Sequence, residues 1–181
     1  MDMDFNADAI GSPPAGWTCG TTGQGRPRWS VEKEAGRPVL VQSGSAAFPW
    51  CVVSGSTLAD GWVEVRFKPM RGRRPDPGGL VWRWKDGDHY YVARANALED
   101  NVSLYYTEAG TRRTIKYVDT PVQANTWHTL RVAFRGAHIQ VSFDGQPKIE
   151  LDDPHIAGPG KVGVWTKADS VTAFDGFSYG P

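Results

Sequence analysis

Apolar and polar residues alternate along most of this chain with a period of two. Trp62–Pro69 is the plainest case: Val63, Val65 and Phe67 fall on one side, and Glu64, Arg66 and Lys68 on the other. Successive side chains of a pleated strand point to opposite faces, so this run predicts a strand with one buried face. Leu130, Val132 and Phe134 repeat the pattern within Thr126–Arg135. Ile139, Val141 and Phe143 repeat it in the next run, and Val162 and Val164 alternate with Trp165 and Lys167. No long run carries a helical period. Turn residues punctuate the strand-like runs: Gly36, Asp86-Gly87, Ala109-Gly110, Asp144-Gly145 and Gly158. Roughly twelve or more short strands so spaced predict an all-β protein, a two-sheet antiparallel jelly-roll sandwich in a single domain over 1–181. The first 25 residues, rich in Gly and Pro, read as loop, with Phe5 and Trp17 as anchors onto the sandwich.

The stretch from Gly78 to Tyr106 holds three of the predicted strands, the first two joined at Lys85-Asp86-Gly87-Asp88. Asp-Gly between aromatic and β-branched runs is a hairpin signal. Alternation assigns Tyr91, Ala93, Ala95, Leu104 and Tyr106 to the packed side. It leaves Arg94, Asn96, Ser103 and Tyr105 on an open face, joined by Trp165 and Lys167. Arg83 is expected on that face too, with Trp82 and Trp84 opposite. Arg83, Arg94, Asn96, Tyr105, Trp165 and Lys167 then combine rings, guanidinium groups and an amide. Such a surface stacks on a sugar ring and hydrogen-bonds its hydroxyls or an anionic substituent.

Charge narrows the partners. The chain carries 20 Lys and Arg against 20 Asp and Glu, a formal net charge of zero. It lacks the basic excess expected of a nucleic-acid binder. No apolar run is long enough to span a bilayer, so no membrane insertion is expected. A monomer is expected. The basic stretch Arg71–Pro77 reads as a solvated loop. The acidic, polar start reads as that of a mature domain rather than a signal peptide. Cys19 and Cys51 leave two alternatives, one disulfide in an exported protein or two buried thiols. His89, His128, His138 and His155 are scattered, with no ligand spacing for zinc.

The run Trp127 to Gln146, followed by Asp152-Asp153, Gly160–Trp165 and Phe174–Phe177, resembles the concanavalin A-like, laminin-G-like jelly rolls. The longer pattern GLVWRWKDGDHYYVARANALEDNVSLYY, with VWTKADSVTAFD further on, resembles the 3-keto-disaccharide hydrolase domains, a group described as family 16 glycoside hydrolase-like. The resemblance spans nearly the whole chain. It implies two curved sheets, a carbohydrate or glycoside ligand on the concave face, and a periplasmic or secreted bacterial location. It also makes a structural Ca²⁺ a candidate cofactor, with Asp175 on the last strand as a ligand and Asp4 or Asp8 assisting.

Hydrolysis of the family 16 kind needs a carboxyl pair about 5 to 5.5 Å apart. The family supplies it as Glu-x-Asp-x-x-Glu on one strand. The nearest match, Glu150-Leu151-Asp152-Asp153-Pro154-His155, ends in His where the second Glu belongs. Cleavage of a 3-keto glycoside needs only a base beside an acidified C–H and a cation for the enolate. His89, Glu99 and Asp100 are the candidate bases, and Arg83, Arg94 and Lys167 the candidate cations. There is no Gly-x-Ser-x-Gly elbow for a serine nucleophile. The leading expectation is therefore sugar binding. A 3-keto-glycoside hydrolase or lyase and a laminin-G-like protein-interaction module are the alternatives.

Overall fold

The computed structural model describes residues 1–70 and 77–181, and among these it contains strands and turns but no helix. In chain order the strands are β1 (Asp2–Met3), β2 (Trp17–Arg26), β3 (Trp29–Glu34), β4 (Arg37–Gln42), β5 (Ser45–Val53), β6 (Gly61–Pro69), β7 (Pro77–Asp86), β8 (His89–Asn96), β9 (Asn101–Glu108), β10 (Thr111–Asp119), β11 (His128–Arg135), β12 (His138–Phe143), β13 (Gln146–Asp152), β14 (Lys161–Trp165) and β15 (Thr172–Gly180). Apart from Pro77, the basic stretch Arg71–Pro77 lies outside the described residues.

The strands form two antiparallel sheets. One has the order β13-β12-β11-β6-β15-β4-β3, with β1 paired to β15; the other runs β10-β9-β8-β7-β14-β5-β2. Consecutive hairpins such as β7–β10 and β11–β13 are joined in each sheet to strands distant in sequence, β6 to β11 and β15, and β14 to β5 and β7, as in a jelly roll. The inward side chains predicted by alternation fill the space between the sheets. Val63, Val65, Phe67, Leu130, Val132, Ile139 and Val141 come from one sheet, and Leu80, Tyr91, Ala93, Leu104, Val162 and Val164 from the other. Each Val, Leu, Ile or Phe among them, fully buried, contributes roughly 1.5–3 kcal/mol. Phe5 is buried in this core and Trp17 packs against it, as anchors should.

Three two-residue turns hold the hairpins in register. Ala35-Gly36, Ala109-Gly110 and Asp144-Gly145 each have both residues at positive φ, the geometry whose twist matches paired strands.

Two expectations change. Residues 17–26 are not loop: β2 pairs with β5, slipping register between Thr22 and Gly25. The glycines that argue against a strand serve it instead. A Cβ on Gly20 would come within 2.8 Å of the Trp50 ring, and Gly25 has φ 118 at the irregularity. Glycine in a strand marks close approach or a bulge, and both occur here. Cys19 and Cys51 lie directly opposite on these strands and form a disulfide.

The second change is in β7. Its register against β8 shifts between Trp82 and Asp86, and Arg83 has φ 48. This bulge breaks the alternation. Trp82 goes into the core, stacked on Tyr91, while Trp84 goes to the opposite face against Trp50. Arg83 turns between the sheets and does not join the open face. It donates to the carbonyls of Ala59 at 2.9 Å, Ile156 at 3.0 Å and Gly136 at 2.7 Å. It is 3% exposed and ties three loops together.

Candidate functional site

The outward face of the seven-stranded sheet carries a second apolar cluster, separate from the core. Trp50, Val52, Val81, Trp84, Tyr90, Val92, Tyr105 and Trp165 form it, with Phe48 packed on it. Alternation produces this face, because on β5, β8, β9 and β14 these residues alternate with the inward ones. The hydroxyl of Thr22 braces it from β2: it meets the Tyr90 hydroxyl at 2.7 Å and accepts from Trp50 Nε1 at 3.2 Å.

A cluster of cations lies on these rings. The Arg112 guanidinium sits 4.3 Å from the ring centre of Tyr105, 4.9 Å from Phe48 and 5.8 Å from Trp165. Phe48 and Trp165 are themselves stacked, 5.9 Å apart and 13° from parallel. Arg94 on β8 lies 5.1 Å from the Tyr105 ring on β9. Lys167 follows β14. Burial lowers its pKa first, and the neighbouring Arg112 and Arg94 lower it further, against Glu99. Arg112 is held below the ordinary guanidinium value mainly by burial and then by Arg94. Like charges near one another disfavour the charged form, as Arg94 does for Arg112 and both arginines do for Lys167.

Few anions among the described residues answer them. Glu99, in the turn after β8, reaches Arg94 Nη2 at 3.4 Å and accepts from Asn101 Nδ2 at 3.3 Å. Nε and Nη1 of Arg94, Nη1 of Arg112 and Nε1 of Trp165 are buried without a hydrogen-bond partner among the described residues.

Of the residues the sequence singles out for binding, Arg94, Tyr105, Trp165 and Lys167 therefore converge, with Glu99 at their edge. The stacking expected of Trp165 and Tyr105 is altered. Trp165 is fully buried and Tyr105 nearly so, and Arg112 already covers both rings. Asn96 is a positioning residue: its Oδ1 accepts from the backbone N–H groups of Leu98 at 2.9 Å and Glu99 at 3.1 Å, shaping the turn that carries Glu99. Arg83 is absent from the site because of the bulge.

The candidate bases separate. Asp100 sits at φ 48 and its Oδ1 accepts from Val122 N–H at 2.9 Å, a loop clamp. His89 opens β8, five residues from Arg94 and so roughly 16 Å away along the strand. There it pairs with Asp86 at 2.9 Å across the hairpin. Glu99 alone of the three faces the cations. Outward positions of β8 and β9 are Tyr90, Val92, Arg94, Asn96, Asn101, Ser103, Tyr105 and Thr107, so neither strand offers a carboxyl pair. Glu150 and Asp152 lie on β13 in the other sheet, bound to His138 at 3.0 and 2.8 Å. Asp153 is taken by the Tyr91 hydroxyl at 2.6 Å.

The calcium ligands do not assemble either. Asp175 pairs with the Arg37 guanidinium at 2.8 Å, which already neutralises it, and Asp4 accepts from the backbone N–H of Asn6 at 3.1 Å. No group of three His, Cys, Asp or Glu side chains converges among the described residues. These residues do not fit a calcium ion, which needs six to eight oxygens.

Arg112 and Phe48 are the site residues that pattern reading misses. The hairpin turn held the signal for Arg112. A two-residue turn at Ala109-Gly110 pairs Thr111 with Glu108 and Arg112 with Thr107. Thr107 shares the parity of Tyr105, so Arg112 must face outward.

No family model matches the chain, and no curated protein matches it. Solved structures do. The carbohydrate-binding module CBM66 from Bacillus subtilis is similar over 92% of this chain and 96% of its own, with 21% identity and a TM-score of 0.79. A Bacillus subtilis protein of unknown function with a galectin-like fold shares 11% identity and a TM-score of 0.70 over 99% and 94% of the two chains. A family 16 glycoside hydrolase, an endo-glucanase from Bacteroides ovatus, shares 14% identity and a TM-score of 0.68 over 99% of each. At these identities the likeness is one of fold, and the fold is the concanavalin A-like jelly-roll sandwich.

Proposed function

We propose that this protein binds carbohydrate on the outward face of its seven-stranded sheet and does not cleave ordinary glycosidic bonds. One observation carries the reading: Arg94, Arg112, Lys167 and Glu99 gather over Tyr105, Trp165 and Phe48, with buried guanidinium N–H groups left unpartnered. Buried donors without acceptors are costly, and a ligand that enters beside Glu99 would supply the acceptors. The fold shared with a carbohydrate-binding module and with glycoside hydrolases supports the ligand class. The absence of a carboxyl pair from β8 and β9 separates this face from retaining hydrolysis. The Cys19–Cys51 disulfide suits a periplasmic or secreted location, where thiols are oxidised.

A glycan array tests the reading with wild type, the double variant Arg112→Ala with Lys167→Ala, and His138→Ala as a control on the other sheet. Wild type and control should bind the same glycans, and the double variant should lose them while melting cooperatively. Unchanged binding by the double variant would place the ligand elsewhere. Incubation of wild type with a 3-keto disaccharide belongs beside it. Release of free sugar that Glu99→Gln abolishes would move the reading from recognition to catalysis.

A further inference from the structure

The cluster holds more positive charge than its surroundings answer. The whole chain is neutral, so the excess of Arg94, Arg112 and Lys167 over Glu99 is local. Arg94 is 3% exposed, yet its Nε and Nη1 have no hydrogen-bond partner among the described residues, and Arg112 Nη1 has none there. Rings lie close to both guanidinium carbons, Tyr105 at 5.1 Å from that of Arg94, and Tyr105 at 4.3 Å and Phe48 at 4.9 Å from that of Arg112. The unpartnered N–H groups are what a ligand can still engage. A guanidinium edge is matched by a planar two-oxygen acceptor, which a carboxylate is.

Glu99 shows that a carboxylate reaches this place. Its contact with Arg94 is 3.4 Å, with the Glu99 side chain 50% exposed. A charge-assisted hydrogen bond of this kind runs about 2.7–2.9 Å. The protein's own carboxylate thus lies at the rim and leaves the guanidinium edges unmade. Burial, and after it the neighbouring cations, disfavour the charged forms of Lys167 and Arg112, and a neutral sugar would bring hydroxyls but no opposite charge to offset that.

We propose that this cluster binds the carboxylate of a uronic acid residue, so that the ligand is an acidic glycan. The proposal rests on the reading of this face as the carbohydrate site. Arg94 and Arg112 receive the carboxylate oxygens edge-on, Lys167 adds a third positive charge, and Glu99 is the group the ligand displaces.

Calorimetric titration tests this with short oligosaccharides of galacturonate, glucuronate and mannuronate, each beside its carboxyl-reduced neutral counterpart. At least one acidic probe should bind roughly tenfold or more tightly than its neutral partner, the ratio one charge-assisted hydrogen bond supplies. Its affinity should fall as salt is added. Lys167→Gln should weaken it severalfold. Glu99→Gln should strengthen it severalfold, because a competing carboxylate is gone, whereas a neutral-sugar site would lose an acceptor and weaken. Thermal melts of both variants report that the fold is kept. Equal binding of neutral and acidic probes, or binding of neutral glycans alone on the array, overturns the uronate proposal and leaves the carbohydrate reading standing. Binding of sulfated glycans without uronates overturns it as well. No binding to any glycan overturns both.

Discussion

The guanidinium carbon of Arg112 lies 4.3 Å from the ring centre of Tyr105 and 5.8 Å from that of Trp165, so an edge-strand arginine roofs the rings of three other strands. A cation over a ring is stabilised by roughly 0.5–2 kcal/mol depending on its desolvation. Arg112→Ala should lower stability to urea by about 1–2 kcal/mol. Arg112→Lys should recover only part of that, because an ammonium cannot stack as a planar guanidinium does. Equal stability of the lysine variant and wild type would remove the stacking from the account.

Arg83 should matter more for folding than Arg112 and less for binding. Its three carbonyl partners lie in three different loops. Arg83→Met leaves those carbonyls unpaired and should cost about 3–5 kcal/mol. That corresponds to roughly 2–4 °C in Tm per kcal/mol for a chain of this size. Glycan binding below the melting range should persist. Loss of binding with a normal melt would reassign Arg83 to the site.

Reduction of the Cys19–Cys51 bond should destabilise without unfolding at room temperature. The bridge closes a sequence separation of 32 residues. Chain-entropy estimates give about 3–4 kcal/mol for such a loop. Urea unfolding with and without reductant measures it, and Cys19→Ala with Cys51→Ala should match the reduced protein.

The hairpin pair His89–Asp86 should make a small pH-dependent contribution. His89 has its pKa raised, chiefly by the hydrogen bond to Asp86, and the charges of Asp86, Asp88 and Glu108 act in the same direction. Its stabilising share is therefore full below the unfolded value of about 6.5 and is lost as pH rises through the folded one. Asp86 has its pKa lowered, first by the same hydrogen bond, so its share is present above the ordinary carboxylate value and lost as pH falls through the folded one. The stability gap between wild type and His89→Gln should be larger at mildly acidic than at alkaline pH, and an NMR titration should place His89 above its ordinary value. A gap independent of pH would mean the pair does not form in solution.

Alternation by itself determined the fold class and the two faces of most strands. Val63–Val65–Phe67 on β6 and Tyr91–Ala93–Ala95 on β8 are buried as their parity requires, because in a sheet with one face on the core a side chain has only two directions. The same parity brought Arg94, Tyr105, Trp165 and Lys167 to one face. Three things needed the tertiary structure. A bulge at Arg83 breaks parity locally, and its backbone conformation is stabilised by carbonyls 24 to 73 residues away in sequence. Arg112 reaches the rings only because β10 folds back beside β9 and sets it above strands from elsewhere in the chain. His89 and Asp100 are separated from the site by their place at a strand end or turn, and Asp175 and Asp4 by lying in or next to the other sheet, and a period of two carries direction but neither position along a strand nor choice of sheet.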